Sequence, residues 1–121
     1  MNTPFPASTI IFDVQTAKAI DNEFLPTELT NTFAVKQVIY ATYKTDTHGQ
    51  DGYVEAKWYG NGDIQKTRIQ PYNAGATQGF FSSVYDTPIS GKVESYWCTA
   101  SDCSDEQLAA IVDFTVSAQE S

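Results

Sequence analysis

Few side chains in this 121-residue chain are of types that do chemistry, and they fall in four places. The single histidine, His48, sits between Asp46 and Asp51 in a glycine-containing stretch. A general base needs a nucleophile and an orienting acid close by. The aspartates could orient His48, but turn-forming residues surround it, and the stretch reads as an exposed loop. The two cysteines, Cys98 and Cys103, are spaced C-x4-C. A zinc site needs about four ligands, and the chain offers no second cysteine pair and only the distant His48. A redox C-x-x-C is absent as well. The spacing reads as a structural disulfide at a hairpin tip, worth roughly 2 kcal/mol in the chain-entropy model; the alternative is two reduced, buried thiols. Asp102, Asp105 and Glu106 cluster beside the cysteines as candidate calcium ligands. Calcium takes about six to eight oxygens, and the segment lacks the Asp-x-Asp-x-Asp-Gly order of a calcium loop, so the expectation is a polar tip with no metal. The fourth place is a basic and aromatic group, Tyr53, Lys57, Tyr59, Lys66, Arg68 and Tyr72, on an otherwise acidic chain. Tyrosine and arginine are the side chains that anchor interfaces, so an acidic partner or a second copy could dock there.

No phosphate-binding glycine loop, nucleophile elbow or marked pair of carboxylates is present. The expectation is a non-enzyme, with no catalytic residue and no cofactor.

These residues must be held by strands. Val54, Ala56 and Trp58 alternate with Tyr53, Glu55, Lys57 and Tyr59, the period of two expected of a strand with one face inward. Gly60-Asn61-Gly62-Asp63 follows; Asn-Gly tolerates positive φ at both turn centres, as a type I′ hairpin requires. The return run, 64 to 70, is polar and reads as an edge strand guarded by charge and ended by Pro71. A first strand is predicted within 8 to 19. The segment 21 to 32 reads as a connector, whose Pro26-Thr-Glu-Leu29 suits at most one helical turn. One long strand is predicted over 32 to 45, with Phe33, Val35, Ile39, Ala41 and Tyr43 on one parity and Gln37 its one polar interruption. A further strand is expected over 79 to 85. The last hairpin is expected to bury Val93, Ser95 and Trp97 against Leu108, Ala110, Val112, Phe114 and Val116. About seven strands result, joined by turns at sandwich spacing, with no long helical period.

The bulk properties agree. A chain of this length forms one domain, here 1–121, with 1–7 and 117–121 read as tails. Seven Tyr, seven Phe and two Trp favour β structure. The net charge of −8 repels phosphate backbones and anionic membrane surfaces, so nucleic acid is not an expected partner. No apolar run reaches the ~18 residues of a membrane helix, and no leader pattern opens the chain.

Three details resemble an immunoglobulin-type sandwich: Trp58 in mid-strand, the Tyr-x-Cys spacing of Tyr96-Trp97-Cys98, and a closing strand ending Phe114-Thr-Val116, as in many bacterial immunoglobulin-like modules. The likeness runs from about Phe33 onward. It departs at 32–45, where no cysteine is present, so the inter-sheet disulfide of antibody domains has no second half. Cys98 is then left to pair with Cys103, to pair between chains, or to stay reduced. The resemblance implies an all-β immunoglobulin-like antiparallel sandwich. Its function would be that of a non-catalytic binding or assembly module of an exported bacterial protein, periplasmic, cell-surface or secreted, that contacts protein partners or pairs with itself along a sheet edge. The alternative is a small secreted inhibitor or ligand carrier that uses a rigid Cys98–Cys103 tip. An enzyme with an unmarked site comes last.

Overall fold

Asn61 and Gly62 have φ values of 50° and 91°, and the chain reverses there as the Asn-Gly pair predicts. The structure is a computed structural model that describes residues 10–46, 50–73 and 77–118. The turn joins β4 (Gly52–Gly60) to β5 (Asp63–Tyr72). The other strands are β1 (Ile11–Ala17), β2 (Thr32–Ala34), β3 (Ile39–Thr45), β6 (Gln78–Ser83), β7 (Ile89–Cys98) and β8 (Gln107–Ser117). They form two sheets, a three-stranded one in the order β1-β3-β6 and a five-stranded one in the order β2-β8-β7-β4-β5. Every pairing is antiparallel except that of β2 with β8. The architecture is all-β and compatible with a sandwich, with no helix among the described residues.

The expected strand over 32 to 45 is two strands in different sheets, which makes eight and not about seven. The chain crosses at 35–38. Lys36 takes a φ of 67° and donates its N–H to Tyr85 O at 2.8 Å. The polar interruption, Gln37, is the corner itself, since its Oε1 accepts the Ala34 N–H at 3.1 Å. The connector before β2 contains no helical turn. It folds back on itself, with Lys18 N–H on Glu28 O (2.9 Å) and Thr27 N–H on Ala19 O (3.0 Å). Pro71 does not end β5, which runs on to Tyr72. On an edge strand a proline leaves no neighbour without its bond. Of the expected tails, 1–7 and 119–121 lie outside the described residues, and Ser117 is the last residue of β8.

Trp58, Trp97 and Phe114 all face inward, at 0%, 4% and 3% exposure. Phe114 is the hub, its ring 6.0 Å from Trp58, 6.2 Å from Phe33 and 5.6 Å from Tyr85. Burying side chains of this size contributes about 1.5–3 kcal/mol each. One end of β8 departs from the expected alternation. A bulge between Ser95 and Tyr96 lets Ala109, not Leu108, enter the core, and Leu108 stands opposite Tyr96 on the outer face. An extra residue on one strand flips the parity beyond it.

Candidate functional site

The six basic and aromatic residues do not share a surface. Straight counting from the Asn-Gly turn would set Lys66 opposite Lys57 and Arg68 opposite Glu55, all on the outer face. The pairing instead slips by one after Tyr59, so that Lys66 opposes Trp58, Arg68 opposes Ala56 and Tyr72 opposes Gly52. Opposed residues of an antiparallel pair lie on the same face, so β5 turns Lys66, Arg68 and Tyr72 to the Trp58 side. Only Tyr53, Lys57 and Tyr59 remain outside, and Thr67, not a second lysine, faces Lys57. Tyr72 is buried, with its hydroxyl bonded to Thr45. The Lys66 ammonium reaches across to β6 and donates to Ser82 O at 3.0 Å.

The outer face of β4 and β7 carries a charged network instead. Lys57 Nζ lies 2.9 Å from Glu106 Oε1 and 4.6 Å above the Tyr96 ring. The Tyr96 hydroxyl donates to Glu94 Oε1 at 2.6 Å. Lys92 pairs with Glu94 at 3.2 Å and lies 4.7 Å over the Tyr59 ring. At the centre is Glu55, only 5% exposed, with Oε1 unbonded. Burial first, then the hydrogen bond and charge of Glu106, push its carboxyl up to about 7, against the pull of Lys57. Glu106 is held below the usual glutamate value, chiefly by that hydrogen bond from Glu55 and then by Lys57, which together outweigh its burial. Glu94 is also low: burial opposes this, and bonds from Tyr96, Tyr59 and Lys92 prevail. Glu55 was legible only as an outward residue of an alternating strand, and nothing local signals that a loop covers it.

That loop is the one closed by the cysteines. Cys98 and Cys103 are joined, with Cα atoms 5.0 Å apart, and no cysteine is free. Glu55 and the two sulfurs form the one cluster of three His, Cys, Asp or Glu side chains with ligand-like spacing among the described residues. Its sulfurs are bonded to each other, so it offers no thiolate to a metal. The candidate calcium ligands are engaged, Asp102 and Asp105 within the loop and Glu106 with β4. The Asp105 carboxylate accepts from Thr99 N–H (3.0 Å), Ala100 N–H (3.0 Å) and the Thr99 hydroxyl. Asp102 accepts the Ser104 N–H at 3.0 Å, and Glu106 serves Lys57 and Glu55. His48 lies outside the described residues.

No protein-family model matches the chain, and no curated protein sequence matches it significantly. No helix among the described residues is long and apolar enough to cross a membrane.

Proposed function

We propose that this is an immunoglobulin-like module of an exported bacterial protein, which binds or assembles with protein partners without catalysis through the open edge and outer face of its five-stranded sheet. The topology supports the fold assignment. The N-terminal strands are divided between sheets, with β1 antiparallel to β3 and β2 parallel to β8, and the order β8-β7-β4-β5 places the Trp58 strand beside the Tyr-Trp-Cys strand, the arrangement of the larger sheet in such domains. The Cys98–Cys103 disulfide supports an oxidising compartment, periplasmic, cell-surface or secreted.

The observation that carries the binding reading is β5. It is an edge strand of ten residues, and an edge presents unpaired backbone groups to a partner strand. Its outer face exposes Ile64 (54%) and Ile69 (40%), opposite Tyr59 and Glu55, while its own cations point the other way. The disulfide tip is less suited to entering a partner's cleft, because its loop packs on Glu55 and Lys57. The test is co-purification from an exported protein fraction of the source cells, with wild type compared against an Ile64→Asp, Tyr59→Ala variant of unchanged melting temperature. Loss of a specific partner supports the edge. Equal recovery removes it. Sedimentation equilibrium on the same pair identifies a second copy as the partner if wild type alone dimerises.

A further inference from the structure

The side of the molecule to which Lys66 and Arg68 turn is the seam between β5 and β6, where the two sheets part. A cavity of about 540 Å³ opens there, lined by Phe24, Arg68, Gln70, Asn73, Gln78 and Phe80 among others, within the size range of small-ligand sites. Its floor is Tyr43, a residue of β3 that is 1% exposed. The tyrosine ring lies over Gly79, where an added Cβ would come within 2.6 Å of the hydroxyl; only glycine leaves that space. The Tyr43 hydroxyl accepts a hydrogen bond from Gln70 Nε2 at 2.7 Å. Tyr43's own proton and Gln70 Oε1 have no partner among the described residues, so the floor presents one donor beside one acceptor. A sugar or alcohol hydroxyl needs that pair, because it both donates and accepts.

Two further features point to a ligand. Arg68 is exposed at the cavity and makes no ion pair or hydrogen bond with any described residue. On a chain of net charge −8, an unopposed guanidinium is a local site for a carboxylate, which it binds through two parallel N–H bonds. Phe24 has a φ of 65°, in the left-handed region that an aromatic residue enters only under constraint. Asp21 holds it there, its Oδ1 accepting from Glu23 N–H (2.8 Å) and Leu25 N–H (3.0 Å). The constraint leaves the Phe24 ring 46% exposed at the cavity, 5.3 Å from Phe80. Such a ring offers a face to an apolar C–H surface. A carboxylate, hydroxyls and a C–H face occur together on one small unit, a sugar acid.

We propose that the β5–β6 seam binds a carboxylated saccharide, a hexuronate unit of an acidic polysaccharide, with its carboxylate on Arg68, its hydroxyls on Tyr43 and Gln70, and its ring face on Phe24. This goes beyond the edge-strand reading and does not rest on it. The test titrates trisaccharides of galacturonate and of glucuronate, their methyl esters, and a glutamate hexapeptide into wild type, Arg68→Gln, Phe24→Ala and Ile64→Asp, read by calorimetry and by backbone amide NMR shifts up to millimolar ligand. At least one trisaccharide should shift the amides of Phe24, Arg68, Gln70 and Phe80. Arg68→Gln should weaken it about tenfold, the scale of one charge-assisted bond. Esterification should cost wild type the same factor and cost Arg68→Gln nothing more. Ile64→Asp should bind as wild type does, which separates failure here from failure at the edge. No shift with either acid, equal affinity in Arg68→Gln, or equal binding of the hexapeptide through the same residues would overturn the proposal. The Arg68 side chain bonds no described residue, so an unchanged melting temperature shows that a loss is not misfolding.

Discussion

Two buried polar groups, Glu55 and Tyr43, lie on opposite sides of the five-stranded sheet, and the chain satisfies them differently. On the outer face, three carboxyls (Glu55, Glu94 and Glu106) share two lysines, Lys57 and Lys92. One acid has no counter-charge, and below about pH 7 a proton on Glu55 makes up the deficit. In the seam, Tyr43 bonds Gln70, and the neighbouring Tyr72 bonds Thr45, with no formal charge in either pair. Burial without a compensating partner costs far more for a charge than for a neutral hydroxyl. The outer group therefore depends on pH and on the loop that covers it, whereas the seam depends on shape.

Shape gives the largest expected effect. Gly79→Ala drives a methyl into the Tyr43 hydroxyl, and overpacking of this kind costs about 1–3 kcal/mol. A melting temperature lower by roughly 4–12 °C, by the same amount at pH 5 and pH 8, is the expected result. A loss that grows with pH would mean that the two sites communicate and that the contrast is false.

Next in size is the cover over Glu55. Replacing both cysteines by alanine removes a constraint worth about 2 kcal/mol, measured as a lower denaturation midpoint. In the seam, Tyr43→Phe takes from the Gln70 amide its 2.7 Å partner and leaves it the longer bond to Phe80 O at 3.4 Å, which should cost about 1 kcal/mol, again equally at both pH values. The double variant Tyr43→Phe, Gln70→Leu should recover part of that loss, because it removes both partners.

Much of this frame could be read before any coordinates. The Asn61-Gly62 turn, the inward parity of Val54, Ala56 and Trp58, the edge position of β5 and the C-x4-C pairing all follow from local rules, in which a residue's type limits its own φ or its own face. What could not be read depends on one extra residue or on distant chain. Gln65 is a polar residue in a polar strand, and nothing about it announces a bulge, yet the slip beside it carries Lys66 and Arg68 from the outer face to the seam and splits what counting had made a single patch. The corner at 35–38 hides likewise inside an unbroken β-like run. Glu55 is buried by a loop some fifty positions away, and Phe24 reaches the cavity from a connector that no periodicity marks.

A pH dependence most directly tests the difference between the two groups. Glu55 has a pKa of about 7 in the fold, against a usual 4.5, so the folded chain holds this proton more tightly than the unfolded chain does. Its contribution to stability is complete below about pH 4.5 and is lost as the pH rises through 7. Glu94 and Glu106 are shifted the other way; their contribution is present above the usual value and is lost only as the pH falls, so they do not act in the same window. Melting curves from pH 5 to pH 8 should therefore show wild type losing stability relative to Glu55→Gln, which keeps the shape and the neutral state at every pH. Glu106→Gln should shrink the slope without abolishing it, because burial, the larger cause, remains while the neighbouring charge is gone. Parallel curves for wild type and Glu55→Gln would show that Glu55 is ionised throughout this range, and the outer network would then be as indifferent to pH as the seam.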